Sequence, residues 1–134
     1  MTIRLDHLIV PSRNPIEGAK SLAGLLGVPW EESDGTFTPV YVNETLTLDF
    51  ADREKFEGHH YCFHVSDADF DAIFGRLQAA GLKYRSRPRG EDDMKINTRL
   101  GGKNVYWQDP DGHLWEILTR SYARPESPQV ATTG

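Results

Sequence analysis

GHHYCFHVSDADFDAIFGRLQAAGLKY, residues 58–84, repeats in outline what LDHLIVPSRNPIEGAKSLAGLLGVPW, residues 5–30, has already set down. In each, a β-type run passes through polar, Pro or Asp residues into a stretch with helical periodicity and stops at Gly. His60 stands against His7 and Gly81 against Gly27, so register drifts by one residue across a strand and a helix. Ile16, Ala19, Leu22, Ala23 and Leu26 fall on one face of the first helix; Phe70, Ile73, Phe74, Leu77 and Ala80 do so in the second. Ser66 or Asp67 is the expected N-cap of the second helix, because its side-chain oxygen can accept from free first-turn amides, and Asp69 suits the positive helix end. Gly27 and Gly81 suit the left-handed residue that ends a helix.

Outward from these segments, β-type runs follow at 37–42, 45–50, 84–87, 104–108 and 114–119. The last two flank Asp109-Pro110-Asp111-Gly112, a strong turn signal. Strand, helix, then strands, twice over, is an α+β plan. Residues 88–102 lack periodicity and read as a long loop over the sheet. The tail from 123 to 134, with its Pro and small polar residues, is expected to be flexible.

The chain of 134 residues is long enough for one shared core, and with 38% hydrophobic and 26% charged residues it has the balance of a folded globular domain. A net charge of −5 argues against a nucleic-acid partner, whose phosphates call for clustered Lys and Arg. Cys62 is the single cysteine, so no intrachain disulfide can form. With no apolar run of about 20 residues and no signal-like N-terminus, no membrane partner is expected and the cytoplasm is the expected location.

Strand parity tests whether candidate ligands can meet. Leu46, Leu48 and Phe50 share one face, Thr45, Thr47 and Asp49 the other; Tyr61, Phe63 and Val65 oppose His60, Cys62 and His64. Glu116 lies in a strand apolar on both sides, where an unpartnered carboxylate is costly. His7 is surrounded by Leu5, Leu8, Ile9 and Val10 and is expected in a largely buried strand. Read alone, it is a core histidine. His7 and His60 are equivalent in the repeat, however, and Asp49 and Glu116 each sit in the last strand of their half within an apolar-carboxylate-apolar triplet. Two His and two carboxylates meeting by pseudo-symmetry make a site suited to one divalent ion: Fe2+, Mn2+, Ni2+, Co2+ or Zn2+.

From HHYCFHVSD and VYWQDPDGHLWEI the chain resembles the vicinal oxygen chelate superfamily of glyoxalases, bleomycin-resistance proteins and extradiol dioxygenases, over residues 3–122. The resemblance implies two βαβββ modules, 3–52 and 58–122, forming a cupped mixed sheet in one domain, 1–122. It implies metal ligands His7, Asp49, His60 and Glu116, or the three-ligand set without Asp49, which is shorter than the Glu of glyoxalases and is a candidate base. The pattern Tyr106-x-x-Asp109-Pro110-x-Gly112-x-x-x-Glu116 is similar to the extradiol signature, in which the Tyr helps bind substrate, but the His expected upstream is replaced by Asn97, Thr98 and Arg99.

The implied function is a metal-dependent enzyme that holds a small molecule through two neighbouring oxygens, as glyoxalase-like lyase or isomerase or as extradiol-type dioxygenase. Glu116, Asp49 and Tyr106 are the catalytic candidates, and His64, Tyr106, Trp107 and Arg99 the substrate contacts. Two other readings compete. One is a metal-free bleomycin-resistance-type binder gripping a flat ligand between Phe37, Tyr41, Tyr106 and Trp107. The other is a fosfomycin-type thiol or water transferase using Lys95, Arg99 and Lys103. A homodimer is expected, with the site shared between copies in several branches. His59 is expected toward the helix side or solvent, His113 exposed at a turn, and Cys62 a small packing residue.

Overall fold

The computed structural model describes residues 1–125, and the tail expected to be flexible lies outside the described residues from Glu126 onward. The element order is β1 (His7–Ser12), α1 (Pro15–Leu26), β2 (Phe37–Tyr41), β3 (Thr47–Asp52), β4 (His60–His64), α2 (Asp67–Ala79), β5 (Asn104–Gln108) and β6 (Leu114–Leu118). The α+β plan in two modules is therefore present.

Each module closes a three-stranded mixed sheet, ordered β1-β3-β2 and β4-β6-β5. β1 runs parallel to β3 and β2 antiparallel to it; β4 is likewise parallel to β6 and β5 antiparallel. Where a further strand of each module would add, isolated antiparallel bridges stand instead: Trp30 to Val40 in the first, and Arg85 to Tyr106 and Asn97 to Asn104 in the second. Pro29 and Pro39 lack the amide a ladder needs in the first. In the second, Arg85 exchanges both backbone bonds with Tyr106, but the strand expected at 84–87 goes no further, because Asn104, which would pair with Arg87 next, exchanges its bonds with Asn97 instead (2.9 and 3.0 Å).

The helices begin and end for local reasons. Pro15 opens α1, where its missing N–H is harmless. The Ser66 hydroxyl accepts from the Asp69 amide at 3.1 Å and opens α2 as expected. Gly27 and Gly81 both take positive φ, 74° and 71°. On α1 the buried residues are Ala19, Leu22, Ala23 and Leu25. The expected stripe is thus turned slightly, since Ile16 is exposed and Leu25 replaces it. On α2, Phe70, Ile73 and Leu77 are buried, while Phe74 packs at the core's edge and Ala80 is exposed.

One core joins the modules. Val10, Leu48, Phe50 and Val40 from the first sheet meet Val105, Trp107, Trp115 and Ile117 from the second, with Phe50 stacked on Trp115 at 6.4 Å between ring centroids. The turn between β5 and β6 ties them further. Asp111 accepts from the Ser12 hydroxyl (2.6 Å) and the Arg13 amide (3.0 Å). Asp109 accepts from its own turn and from the Trp115 indole (2.9 Å). His113, expected at the surface, is fully buried. Its Nδ1 accepts the His59 amide at 3.0 Å and its Nε2 donates to the Pro11 carbonyl at 2.7 Å, so its place is inside the seam, under Phe56, Tyr61 and Trp115. No helix among the described residues is long and apolar enough to cross a membrane.

Candidate functional site

Directly paired residues of neighbouring strands point to the same side of a sheet, so the ladder register assigns every side chain to a face. In the second module, His60 pairs with Leu114, Cys62 with Glu116, and Tyr106 with Glu116 from the other side. His60, Cys62, His64, Asn104, Tyr106 and Glu116 therefore share one face, and Tyr61, Phe63, Val105, Trp107, Trp115 and Ile117 fill the core face. The first module repeats this. His7 pairs with Thr47 and Ile9 with Asp49, so His7 and Asp49 stand in the same diagonal relation as His60 and Glu116.

Glu116 is the centre of the second face. It is fully buried, and among the described residues no Lys or Arg forms an ion pair with it. His60 Nε2 donates to Oε1 at 2.9 Å, and Asn104 Nδ2 donates to Oε2 at 3.1 Å. The Tyr122 hydroxyl lies 2.8 Å from Oε1 and 2.7 Å from Oε2. Tyr106 completes the cluster, its hydroxyl accepting from Asn104 Nδ2 (3.2 Å) and lying 3.3 Å from that of Tyr122. Loss of hydration raises the Tyr106 phenol above its ordinary value, and raises Tyr122 further, with the Tyr106 and Glu116 contacts adding to the latter. Both remain hydroxyl donors at neutral pH. Cys62, facing the same carboxylate, is pushed up to about 12 by desolvation and then by Glu116, which keeps it a thiol.

The first-module pair is open. The His7 side chain is 61% exposed, against the expectation of a largely buried strand, and Ile9 on the same face is 47% exposed, so among the described residues this end of the face is left largely uncovered. Its Nδ1 bonds Asp6 at 2.7 Å, which raises the imidazole above its usual value, and Asp49 adds a smaller push in the same direction.

The four expected ligands thus come together as two pairs, not as one set. Among the described residues no group of three or more His, Cys, Asp or Glu side chains is placed to hold a metal. The expectation leaves open whether one chain or two copies supply the set, and within this chain the two His-carboxylate pairs stay apart. The pairs lie on separate sheets with no ladder between them.

The expected substrate contacts divide similarly. Tyr106 belongs to the Glu116 cluster. His64 shares its face but bonds the Thr119 carbonyl at 3.0 Å. Trp107 is 2% exposed in the core and lines a cavity of about 310 Å³ together with Leu22, Leu25 and Trp115, on the side of the sheet opposite Glu116. Arg99 bends back on Asn97 in the long loop, and Lys103 pairs with Asp71 at 2.9 Å. Phe37 and Tyr41 stand on β2 of the other sheet, so the four aromatics of the metal-free reading do not form one sandwich.

Sequence reasoning missed Asn104 and Tyr122. Asn104 had a signal, since its parity in β5 matches that of Tyr106. Tyr122 lies beyond the last strand, where no periodicity points to it.

Comparison with known proteins agrees with this architecture. Among solved structures, the chain is similar to Oxidase ChaP-H2, with 41% identity over 92% of this chain and 98% of that one and a TM-score of 0.84. Oxidase ChaP-H1 matches at 40% identity over 92% and 100%, with a TM-score of 0.83. A FosX variant of Listeria monocytogenes, complexed with Mn(II) and a dihydroxypropylphosphonic acid, shares the fold at 18% identity over 91% and 94%, with a TM-score of 0.67. Curated relatives match more locally. The metallothiol transferase FosB of Shouchella clausii is 33% identical over 48% of this chain. A valine–tRNA ligase of Chromobacterium violaceum is 31% identical over 77%. The chain spans only 40% and 10% of the lengths of these two relatives. A family model covers residues 8–117, and the chain belongs to the Glyoxalase/Bleomycin resistance protein/Dioxygenase superfamily.

Proposed function

We propose that the chain is a metal-dependent oxidase that binds a small molecule through two neighbouring oxygens, at a site formed where His7 of one copy meets His60 and Glu116 of another. The observation that carries this is Glu116: a carboxylate buried completely, faced by one imidazole and by neutral donors only. A buried charge with no cationic partner costs several kcal/mol, and a cation on the His60 side would offset that cost.

The donor set fits a divalent first-row ion, with two imidazole nitrogens and one or two carboxylates. His7, His60 and Glu116 would hold it, with Asp49 as a fourth ligand or as the base that takes a substrate proton. When bound, the ion supplies a Lewis-acid centre for chelating two substrate oxygens. The remaining work falls to the protein's own side chains. Tyr106 presents a protonated hydroxyl beside Glu116, suited to donate to a substrate oxygen, and Asn104 orients the Glu116 carboxylate through Oε2.

The pairing of copies rests on the open edges. Among the described residues β1 and β4 each have a ladder partner on one side only, whereas β2 and β5 are covered by the Trp30 and Arg85 bridges. Both open edges begin with a His of the proposed ligand set, and Leu5 just before β1 and Ile9 within it are exposed, at 61% and 47%. Unpaired apolar edges are the usual place for another strand to add.

The oxidase reading is favoured over the fosfomycin-type one by the extent of similarity, about 40% identity over nearly the whole chain against 33% over half. The placement of Lys103 and Arg99 also favours it, since both are engaged away from Glu116. The test is anaerobic loading with Fe2+ and with Mn2+, elemental analysis, and oxygen uptake with a panel of catechols set against isomerisation of glutathione hemithioacetals. Retained metal in the native protein, with affinity lowered at least about 100-fold in His60→Ala and Glu116→Gln, is expected. Equal retention by native and variant proteins would sink the assignment, and isomerase turnover without oxygen uptake would replace oxidase by lyase.

A further inference from the structure

Between α1 and the β5–β6 turn lies the cavity of about 310 Å³, at the lower end of the sizes in which small organic molecules bind. Its floor is apolar, made by the buried Leu22, Leu25, Trp107 and Trp115. Its rim is polar and exposed, with Asn14, Glu17 and Ser21 on or beside α1 and Gln108 at the end of β5. Among the described residues, the side chains of these four make no hydrogen bond or ion pair.

Charge narrows what fits. No Lys, Arg or His lines the cavity, so every charge on its wall is negative. Two of its carboxylates are already engaged: Asp109 accepts from its own turn and from the Trp115 indole, and Asp111 accepts from Ser12 and Arg13, with the Arg13 guanidinium 3.7 Å away. Glu17 is the one left without a counter-charge among the described residues. An ionised carboxylate only accepts, so its complement is a hydrogen-bond donor that carries positive charge. An anion would meet repulsion at this rim.

We propose that the cavity is a second binding site, taking a small organic amine whose apolar body lies against Leu22, Leu25 and Trp107 and whose ammonium group meets Glu17. Trp107 and Trp115 alternate with Tyr106 and Glu116 along β5 and β6, so the two sites lie on opposite faces of one sheet and this one stands without the metal-site reading.

The test is titration of the full chain at neutral pH with 2-phenylethylamine, followed through the tryptophan indole N–H signals by NMR. The uncharged 2-phenylethanol and the anionic 3-phenylpropionate are run beside it. The signals of Trp107 and Trp115 are expected to shift, and that of Trp30, outside the cavity, to stay. The amine should bind about threefold more tightly than the alcohol, the worth of one exposed ion pair, and the anion weakest of the three. Glu17→Gln should bring amine and alcohol to the same affinity, and Ser21→Trp, which puts a ring at the mouth from the exposed side of α1, should abolish the shifts by all three. Equal binding of amine and alcohol by the native chain, or a preference for the amine that survives Glu17→Gln, overturns the proposal. So does the absence of shifts at Trp107 and Trp115 with every probe, or shifts confined to residues 60–64, which would put the amine on the Glu116 face.

Discussion

His113 accepts a backbone amide on one ring nitrogen and donates to a backbone carbonyl on the other, and the two backbone groups come from different modules. No smaller side chain offers an acceptor and a donor at that spacing. His113→Ala leaves the His59 amide and the Pro11 carbonyl without partners and opens a cavity beneath Phe56 and Trp115. Each effect alone costs on the order of 1–3 kcal/mol, so the expected loss is about 3 kcal/mol, read as a lower urea midpoint at unchanged slope. His59→Ala is the control, because the backbone amide that bonds His113 is kept and the exposed imidazole meets the His113 and Tyr61 rings only at a tilt, 5.9 and 6.2 Å between centroids; a loss within about 1 kcal/mol is expected. Equal losses in the two variants would remove His113 from the seam. A histidine in a turn carries no sequence mark that separates a surface residue from a buried one, which is why its role shows only once Pro11 is seen above it.

At the level of strands and helices, legibility follows how strongly each element's pattern depends on its own residues. The period-two alternation of 45–50 and 60–65 assigns both faces correctly, since a shift of one residue would bury Asp49, His60 and His64 and expose Leu48 and Phe50. The helix stripe was legible to within one residue, because adjacent apolar positions on α1 compete for the same groove. The strand expected at 84–87 shrinks to the Arg85 bridge because Asn104, the next partner on β5, exchanges both backbone bonds with Asn97, a choice between two loop segments that no local pattern signals. Loop residues such as Tyr122 carry no period at all. The same local reasoning gives a prediction about two glycines. Gly75 lies inside α2 with open space where a Cβ would go, so Gly75→Ala should raise stability by about 0.5–1 kcal/mol through helix propensity. At Gly58 a Cβ would overlap the Gly112 carbonyl oxygen, a backbone atom of the turn that ties the modules, so Gly58→Ala should lower stability by about 1–3 kcal/mol. Thermal melts of the two variants decide it; matching shifts in one direction would contradict the close approach of 58 to 112.

For the whole molecule, the internal repeat makes His7 and His60 equivalent in position, yet equivalence says nothing about which copy of the chain supplies each. The core faces of the two sheets are occupied by each other's side chains and by the helices, so the His7–Asp49 face and the His60–Glu116 face are both turned away from the shared interior. In the proposed arrangement one chain carries two half-sites, and a two-fold pair of chains would complete two sites at once if the isologous contact brought β1 of each copy to β4 of the other. That arrangement has a consequence a single-chain site lacks. Native His7 and native Glu116 can be supplied by different variants: His7→Ala and Glu116→Gln, each inactive in metal retention alone, should complement when unfolded and refolded together. Random pairing makes about half of the dimers mixed, and each mixed dimer carries one intact site, so about a quarter of the native metal content should return. Mixing without refolding should return none until the subunits exchange. No recovery after exchange, shown by differently tagged copies purifying together, would place all ligands on one chain and require the two modules to reorganise about their shared core.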